Sequence, residues 1–112
     1  MVMDQCIFCK IIKKEISTDI LYESDLLMAF PDRDPSADTH ILIVPKAHIG
    51  AFTDLAPNHG QLLVEVYNVA SQLVLEKGLD NDSYRVVVNG GKAQHIPHLH
   101  FHLLGGQWKK QV

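Results

Sequence analysis

From His98 to Leu103 polar and apolar residues alternate one for one, and Leu104 follows. A β-strand turns successive side chains to opposite faces, so this run would place His98, His100 and His102 on one face and Leu99, Phe101 and Leu103 on the other. A helix would scatter the three histidines in steps of about 200°. The run therefore predicts a half-buried strand, stopped by Gly105-Gly106. Elsewhere the period differs. Ile7 with Ile11 and Phe8 with Ile12 recur at i,i+4 and predict a short helix over Cys6–Glu15. Leu62, Leu63, Val66, Val69, Ala70, Leu73 and Val74 keep a 3.6 period and predict a long helix over Asn58–Lys77. Asn58 would cap its start, and Gly78 sits where a C′ glycine belongs. Apolar runs at Ile20–Glu23 and Leu26–Phe30, joined by Ser24-Asp25, predict two strands. A third, His40–Val44, is ended by Pro45, and a fourth, Tyr84–Val88, by Asn89-Gly90-Gly91. The segments Pro31–Pro35 and Lys92–Pro97 read as loops. Together these elements predict an α+β fold: a five-stranded, mostly antiparallel sheet with one long and one short helix, the long helix packed on one face.

Composition narrows the classes of function. With 112 residues, 46% hydrophobic and 21% charged, the chain is expected to form a single domain over residues 1–112 with its own core. A net charge of −3, with no stripe of Lys and Arg, argues against a nucleic-acid partner. No apolar run approaches the ~20 residues of a membrane span, and Met1 to Gln5 lack the pattern of a signal peptide. A cytoplasmic protein with reduced thiols is the expectation. Cys6 and Cys9 then read as half of a metal site or as two core residues, ahead of a disulfide.

Three imidazoles on one strand face suit two chemistries. They can hold a catalytic metal, or one can attack as a nucleophile while its neighbours support it. Neutral imidazole is a good phosphorus nucleophile near neutral pH. A catalytic metal also calls for a carboxylate acid or base, and no Glu lies near the histidines in sequence. Nucleophilic catalysis is therefore favoured. Asp32 lies in a proline-bounded loop, where it reads equally as a turn former and as a binding carboxylate.

The segment His98-Leu-His-Phe-His-Leu-Leu104 resembles the signature of the histidine triad (HIT) superfamily. The likeness extends over nearly the whole chain, in order and spacing, through Cys6-Ile-Phe-Cys-Lys-Ile-Ile12, Ala29-Phe30, Asp32, Pro35, Thr39-His40, Val44-Pro45-Lys46, His48, Val88-Asn89, Gln94 and Leu104-Gly105-Gly106. It is nearest to the branch of nucleoside phosphoramidases. That resemblance implies hydrolysis of purine nucleoside 5′-monophosphoramidates through a nucleotidyl-histidine. His100 would be the nucleophile, His102 would hydrogen-bond the phosphate, and His98 and His40 would orient and polarise the attacking ring. Asp32 would accept the ribose hydroxyls, Ile7, Phe8, Ile11, Phe30 and Leu42 would form the slot for the base, Asn89 would serve the phosphate side, and Gln94 would belong to the nucleotide site. Within the superfamily the alternative is a dinucleoside polyphosphate hydrolase or nucleotidyl transferase. Outside enzymes it is a nucleotide-binding interaction module with incidental turnover.

This sequence departs from the branch at the nucleotide site. The segment Asn89–His98 is about two residues shorter than usual. His95 stands where a serine or threonine usually faces the leaving group, Arg33 where an apolar residue usually meets the base, and only six residues follow Gly106. The resemblance also implies a structural zinc on Cys6, Cys9, His48 and His98, no organic cofactor, and a homodimer that joins two sheets through the long helix and the strand ending at Val88. The physical motive for pairing is Tyr84-Arg-Val-Val-Val88, an apolar strand that would otherwise be an unprotected edge.

Overall fold

The structure is a computed structural model that describes residues 5–110. Its sheet has five strands in the order β1-β2-β3-β5-β4, and each neighbouring pair is antiparallel. They are β1 (Tyr22–Glu23), β2 (Leu27–Pro31), β3 (Ala37–Pro45), β4 (Tyr84–Val88) and β5 (Phe101–Trp108), with helices α1 (Ile7–Ile12) and α2 (Gly60–Glu76). The predicted α+β architecture is the one observed.

The period-two strands give the sheet two unlike faces. Leu27 and Ala29 of β2, Ile41 and Ile43 of β3, and Leu99, Phe101 and Leu103 meet Leu62, Val66, Val69, Ala70, Leu73 and Val74 of α2 in one buried cluster. On the other face Met28, Phe30, Leu42 and Val44 pack with Cys6, Phe8, Cys9 and Ile11 around α1. β5 is the hinge of this division, since it pairs with both β3 and β4 and aligns Leu42 and Val87 with His102.

Several boundaries differ from expectation. The ladder of β5 begins at Phe101, not His98. The Leu99 amide instead donates to the Ile49 carbonyl at 2.7 Å. Nor do Gly105 and Gly106 stop the strand, which continues to Trp108. A Cβ on Gly105 would lie 2.5 Å from a methyl of Leu79, so the missing side chain makes room for packing against the sheet. Gly106 takes φ +77 beside Asp38, where the β3–β5 register shifts.

The long helix starts at Gly60, because Pro57–His59 forms a 3₁₀ turn. His59, not Asn58, is the residue before the helix, and its Nδ1 accepts the Ala56 amide at 2.9 Å. Gly78 is left-handed at φ +67, as the C′ position favours. Helix α1 starts after Cys6, whose Sγ accepts the Cys9 amide at 3.4 Å. It ends by Ile12, with Lys14 at φ +66 two residues on.

Candidate active site

A cleft of about 680 Å³ opens on the α1 side of the sheet. Of the residues expected to bind or act there, Ile7, Phe8, Ile11, Phe30, Asp32, Arg33, His40, Leu42, Asn89, His95, His100 and His102 line it. Strand alternation explains the inward set: His40 and Leu42 come from β3, His102 from β5, and Phe30 from β2. Phe8 sets its edge against the ring of His100, with centroids 4.9 Å apart and planes at 69°. Two expected residues are not on the wall. Gln94 donates its amide to the carbonyls of Gly50 (2.7 Å) and Ile96 (3.0 Å). His98 is fully buried behind the cleft.

Backbone groups fix the protonation pattern of the imidazoles. The His98 carbonyl can only accept, and it lies 2.7 Å from His100 Nδ1. His100 therefore carries its proton on Nδ1 and keeps a lone pair on Nε2. The Ser36 amide can only donate, and it points at His40 Nδ1 from 2.9 Å. That places the His40 proton on Nε2, which lies 2.8 Å from His102 Nδ1. His102 must accept there, so its own proton sits on Nε2. That Nε2 is buried and, among the described residues, has no protein partner. The site thus offers one nucleophilic nitrogen and one unused donor on adjacent inward-facing rings, whose centroids are 4.9 Å apart.

Burial favours the neutral form of these rings. It pushes His40, His98 and His100 below the ordinary imidazole value and, with the repulsion of His100 and His40, takes His102 down to about 4. Asp32 opposes the shift at His40, where its Oδ2 lies 3.4 Å from Nε2. Asp32 Oδ1 meanwhile accepts the Asp34 amide at 2.9 Å, so the same carboxylate both forms the turn and faces the cleft.

This neutrality has a cost in acid. Between pH 6.5 and about 4 the unfolded chain binds a proton at residue 102 that the folded chain refuses. Stability therefore rises with pH across that window, and acidification through it is expected to remove up to ~3 kcal/mol from this group. Urea unfolding at pH 7, 6 and 5 checks this, and a flat profile would refute it.

Behind the cleft lies a second cluster. Cys6 Sγ is 3.3 Å and Cys9 Sγ 3.6 Å from His98 Nδ1, and Cys9 Sγ is 3.2 Å from His48 Nδ1. The four ligand atoms all lie within 4.8 Å of one another. A tetrahedral zinc with two sulfurs and two nitrogens needs separations of about 3.3–3.8 Å. The orientation of His98 also fits, because its Nε2 faces the Pro45 carbonyl at 2.8 Å and so bears the proton. That leaves the Nδ1 lone pair towards the thiols. Burial, and then the facing Cys6 thiol, push the Cys9 thiol up to about 11. The donor set fits a closed structural site, which would tie α1 to the segment carrying His98.

Other cleft residues were not anticipated: Thr18, Pro31, Asp34, Ser36, Ala93, Ile96 and Lys110. Proximity to Asp32 points to Asp34 and Ser36 in the sequence. Nothing in the pattern points to Lys110, which arrives only because β5 runs on past Gly106.

The sheet and cleft define a class of α+β proteins that carry alternating histidines on, and just before, one strand paired on both sides. The chain belongs to the histidine triad superfamily. A family model described as "Scavenger mRNA decapping enzyme C-term binding" matches residues 5–112. The chain is 41% identical over 106 residues to the purine nucleoside phosphoramidase of Escherichia coli (strain K12), covering 93% of this chain and 89% of that protein. It is 45% identical over 106 residues to the 14 kDa zinc-binding protein of Zea mays, covering 90% and 81%. The crystal structure of a HIT family hydrolase from Legionella pneumophila Philadelphia 1 superimposes with a TM-score of 0.88 at 38% identity, covering 92% of this chain and 94% of that one.

Proposed function

We propose that the protein hydrolyses purine nucleoside 5′-monophosphoramidates and related nucleotidyl conjugates, with His100 as the nucleophile. The observation that carries this reading is the pair of opposed tautomers in the cleft, a lone pair on His100 Nε2 beside a free donor on His102 Nε2. The identity with a purine nucleoside phosphoramidase supports it.

In the first step the His100 Nε2 lone pair forms a bond to the α-phosphorus. The bond from phosphorus to the leaving nitrogen breaks, and the amine departs after taking a proton from solvent. The His102 N–H stabilises charge on the phosphoryl oxygens. Water then attacks the same phosphorus and releases a proton to solvent, the bond to Nε2 breaks, and the nucleoside monophosphate leaves with the ring neutral again. Ile7, Phe8, Ile11, Phe30 and Leu42 would hold the base, and Asp32 the ribose. Asn89 lies on the phosphate side of the proposed pose, and Arg33 and His95 at its margins. His98 acts from behind through its carbonyl, and Gln94 by holding the loop before it. No organic cofactor is needed. A zinc on Cys6, Cys9, His48 and His98 would be structural, as the name of the maize relative is consistent with. The test is rapid quenching with a slow adenosine phosphoramidate, followed by mass spectrometry of the intact chain and its peptides. An AMP adduct on the His100 peptide is expected. An adduct on His98 or His102, or AMP binding without release, would overturn the proposal.

The same reading makes the chain one domain and places it in the cytoplasm as a homodimer, without a nucleic-acid or membrane partner. Support for pairing comes from exposed apolar groups on the two elements expected to pair: Val64, Tyr67 and Leu75 of α2, at 60–69% exposure, and Tyr84 and Val86 of the edge strand β4, at 52% and 47%. Sedimentation at micromolar concentration is expected to give a dimer of the 12.6 kDa chain. A stable monomer would contradict it.

A further inference from the structure

The chain beyond Gly106 folds back on the loop that precedes β3. The Ser36 carbonyl accepts the amides of Lys109 at 2.7 Å and Lys110 at 3.2 Å. The Lys110 ammonium meets Asp34 Oδ2 at 2.6 Å, and the Gln107 amide donates to Asp38 Oδ2 at 3.0 Å. Trp108 is held in turn by the Arg85 guanidinium, 4.8 Å above its ring. Ser36, at 6% exposure, is thus gripped through its carbonyl, while its amide points at His40 Nδ1.

We infer that Gln107–Lys110 is a strap whose grip on Ser36 sets the proton positions of His40 and His102, which makes Ser36 a positioning residue for the chemical step. The inference rests on the phosphoramidase reading for its effect on rate, but not for the proton positions. Remove the Ser36 donor and His40 has less reason to keep its proton on Nε2. In the other tautomer His40 Nε2 would turn a lone pair towards His102 Nδ1 and the Asp32 carboxylate. His102 would answer by moving its proton to Nδ1, and its Nε2 would then present a lone pair to a phosphoryl oxygen instead of a donor. Asp32 Oδ2, 3.4 Å from His40 Nε2, resists this change, so the loss is partial. The affected bond matters most when charge builds on the phosphate, so kcat should suffer more than KM.

The experiment compares the full chain with a protein ending at Trp108, using 15N imidazole spectra without substrate and steady-state kinetics with an adenosine phosphoramidate. The full chain should give the Nε2–H form of both His40 and His102. The shortened protein should show mixed forms and a kcat lowered about tenfold or more, with KM changed by less than about threefold. Unchanged spectra, or a loss carried by KM alone, would overturn the inference. Should the shortened protein not fold, the full chain decides. Scalar coupling across hydrogen bonds is expected between the Ser36 amide and His40 Nδ1, and between His40 Nε2 and His102 Nδ1, and its absence would be decisive against the strap. A fully active His100→Ala protein would defeat the phosphoramidase reading while leaving these spectra intact.

Discussion

Alanine in place of His100 is expected to lower kcat/KM for an adenosine phosphoramidate by ~10³ or more, about 4 kcal/mol of transition-state stabilisation. The substitution removes the one inward lone pair that a backbone carbonyl holds in place. None of the neighbouring buried rings can stand in for it. His102 presents a proton from Nε2, and His40 has its Nδ1 occupied by Ser36. His98 Nδ1 faces the thiols behind the cleft. AMP binding should persist, because the apolar slot and Asp32 stay in place, although His100→Ala also loses the ring that packs on Phe8. His102→Ala should cost less, since it removes a charge-stabilising donor and leaves the attacking atom. Steady-state kinetics and calorimetric AMP titration measure both. Full activity in His100→Ala would end the nucleophile assignment.

Cys6→Ser is expected to release bound zinc and lower the melting temperature by ~10 °C or more, because the binding energy of a structural zinc is folding energy. The substitution is informative because Cys6 does two jobs. Its Sγ accepts the Cys9 amide at the start of α1 and faces His98 Nδ1. Serine is itself a good N-cap, so the helix start survives while the thiolate is lost. A fall in stability would then report the metal site. Metal analysis of protein purified without chelator is the check. An absence of zinc would make Cys6 and Cys9 core residues, as their burial in the α1 cluster alone would allow.

The inner face of the site was legible because it depends on alternation. His100, His102, His40, Leu42 and Phe30 turn to one side by strand period, and Leu99, Phe101 and Leu103 to the other. The long helix was legible from its 3.6-residue period, including the left-handed Gly78 at its end but not the 3₁₀ turn at its start. What alternation could not give was how far β5 extends. Gly105-Gly106 reads as a stop locally, but the packing of Leu79 and the bulge at Asp38 carry the strand through. Lys110 was therefore missed, and with it the meeting with Asp34 and Ser36 that depends on that continuation. Gln94 failed for a different reason. A sequence match places a residue in order along the chain, but here the amide turns away to Gly50 and Ile96. The opposed tautomers of His100 and His102 lie further out of reach, because they depend on backbone groups of Ser36 and His98.

β5 is bonded on both sides, to β3 and to β4. In a strand so placed, reading frame and chemistry cannot be separated. A codon added between His100 and Phe101 would leave the downstream ladder intact and reverse the face of what precedes it. His98 and His100 would turn towards the α2 cluster, and Leu99 towards the cleft. The tolerance of this gene to change should therefore be lopsided, with substitution among apolar residues permitted at 99, 101 and 103 and single-residue indels in the same stretch purged.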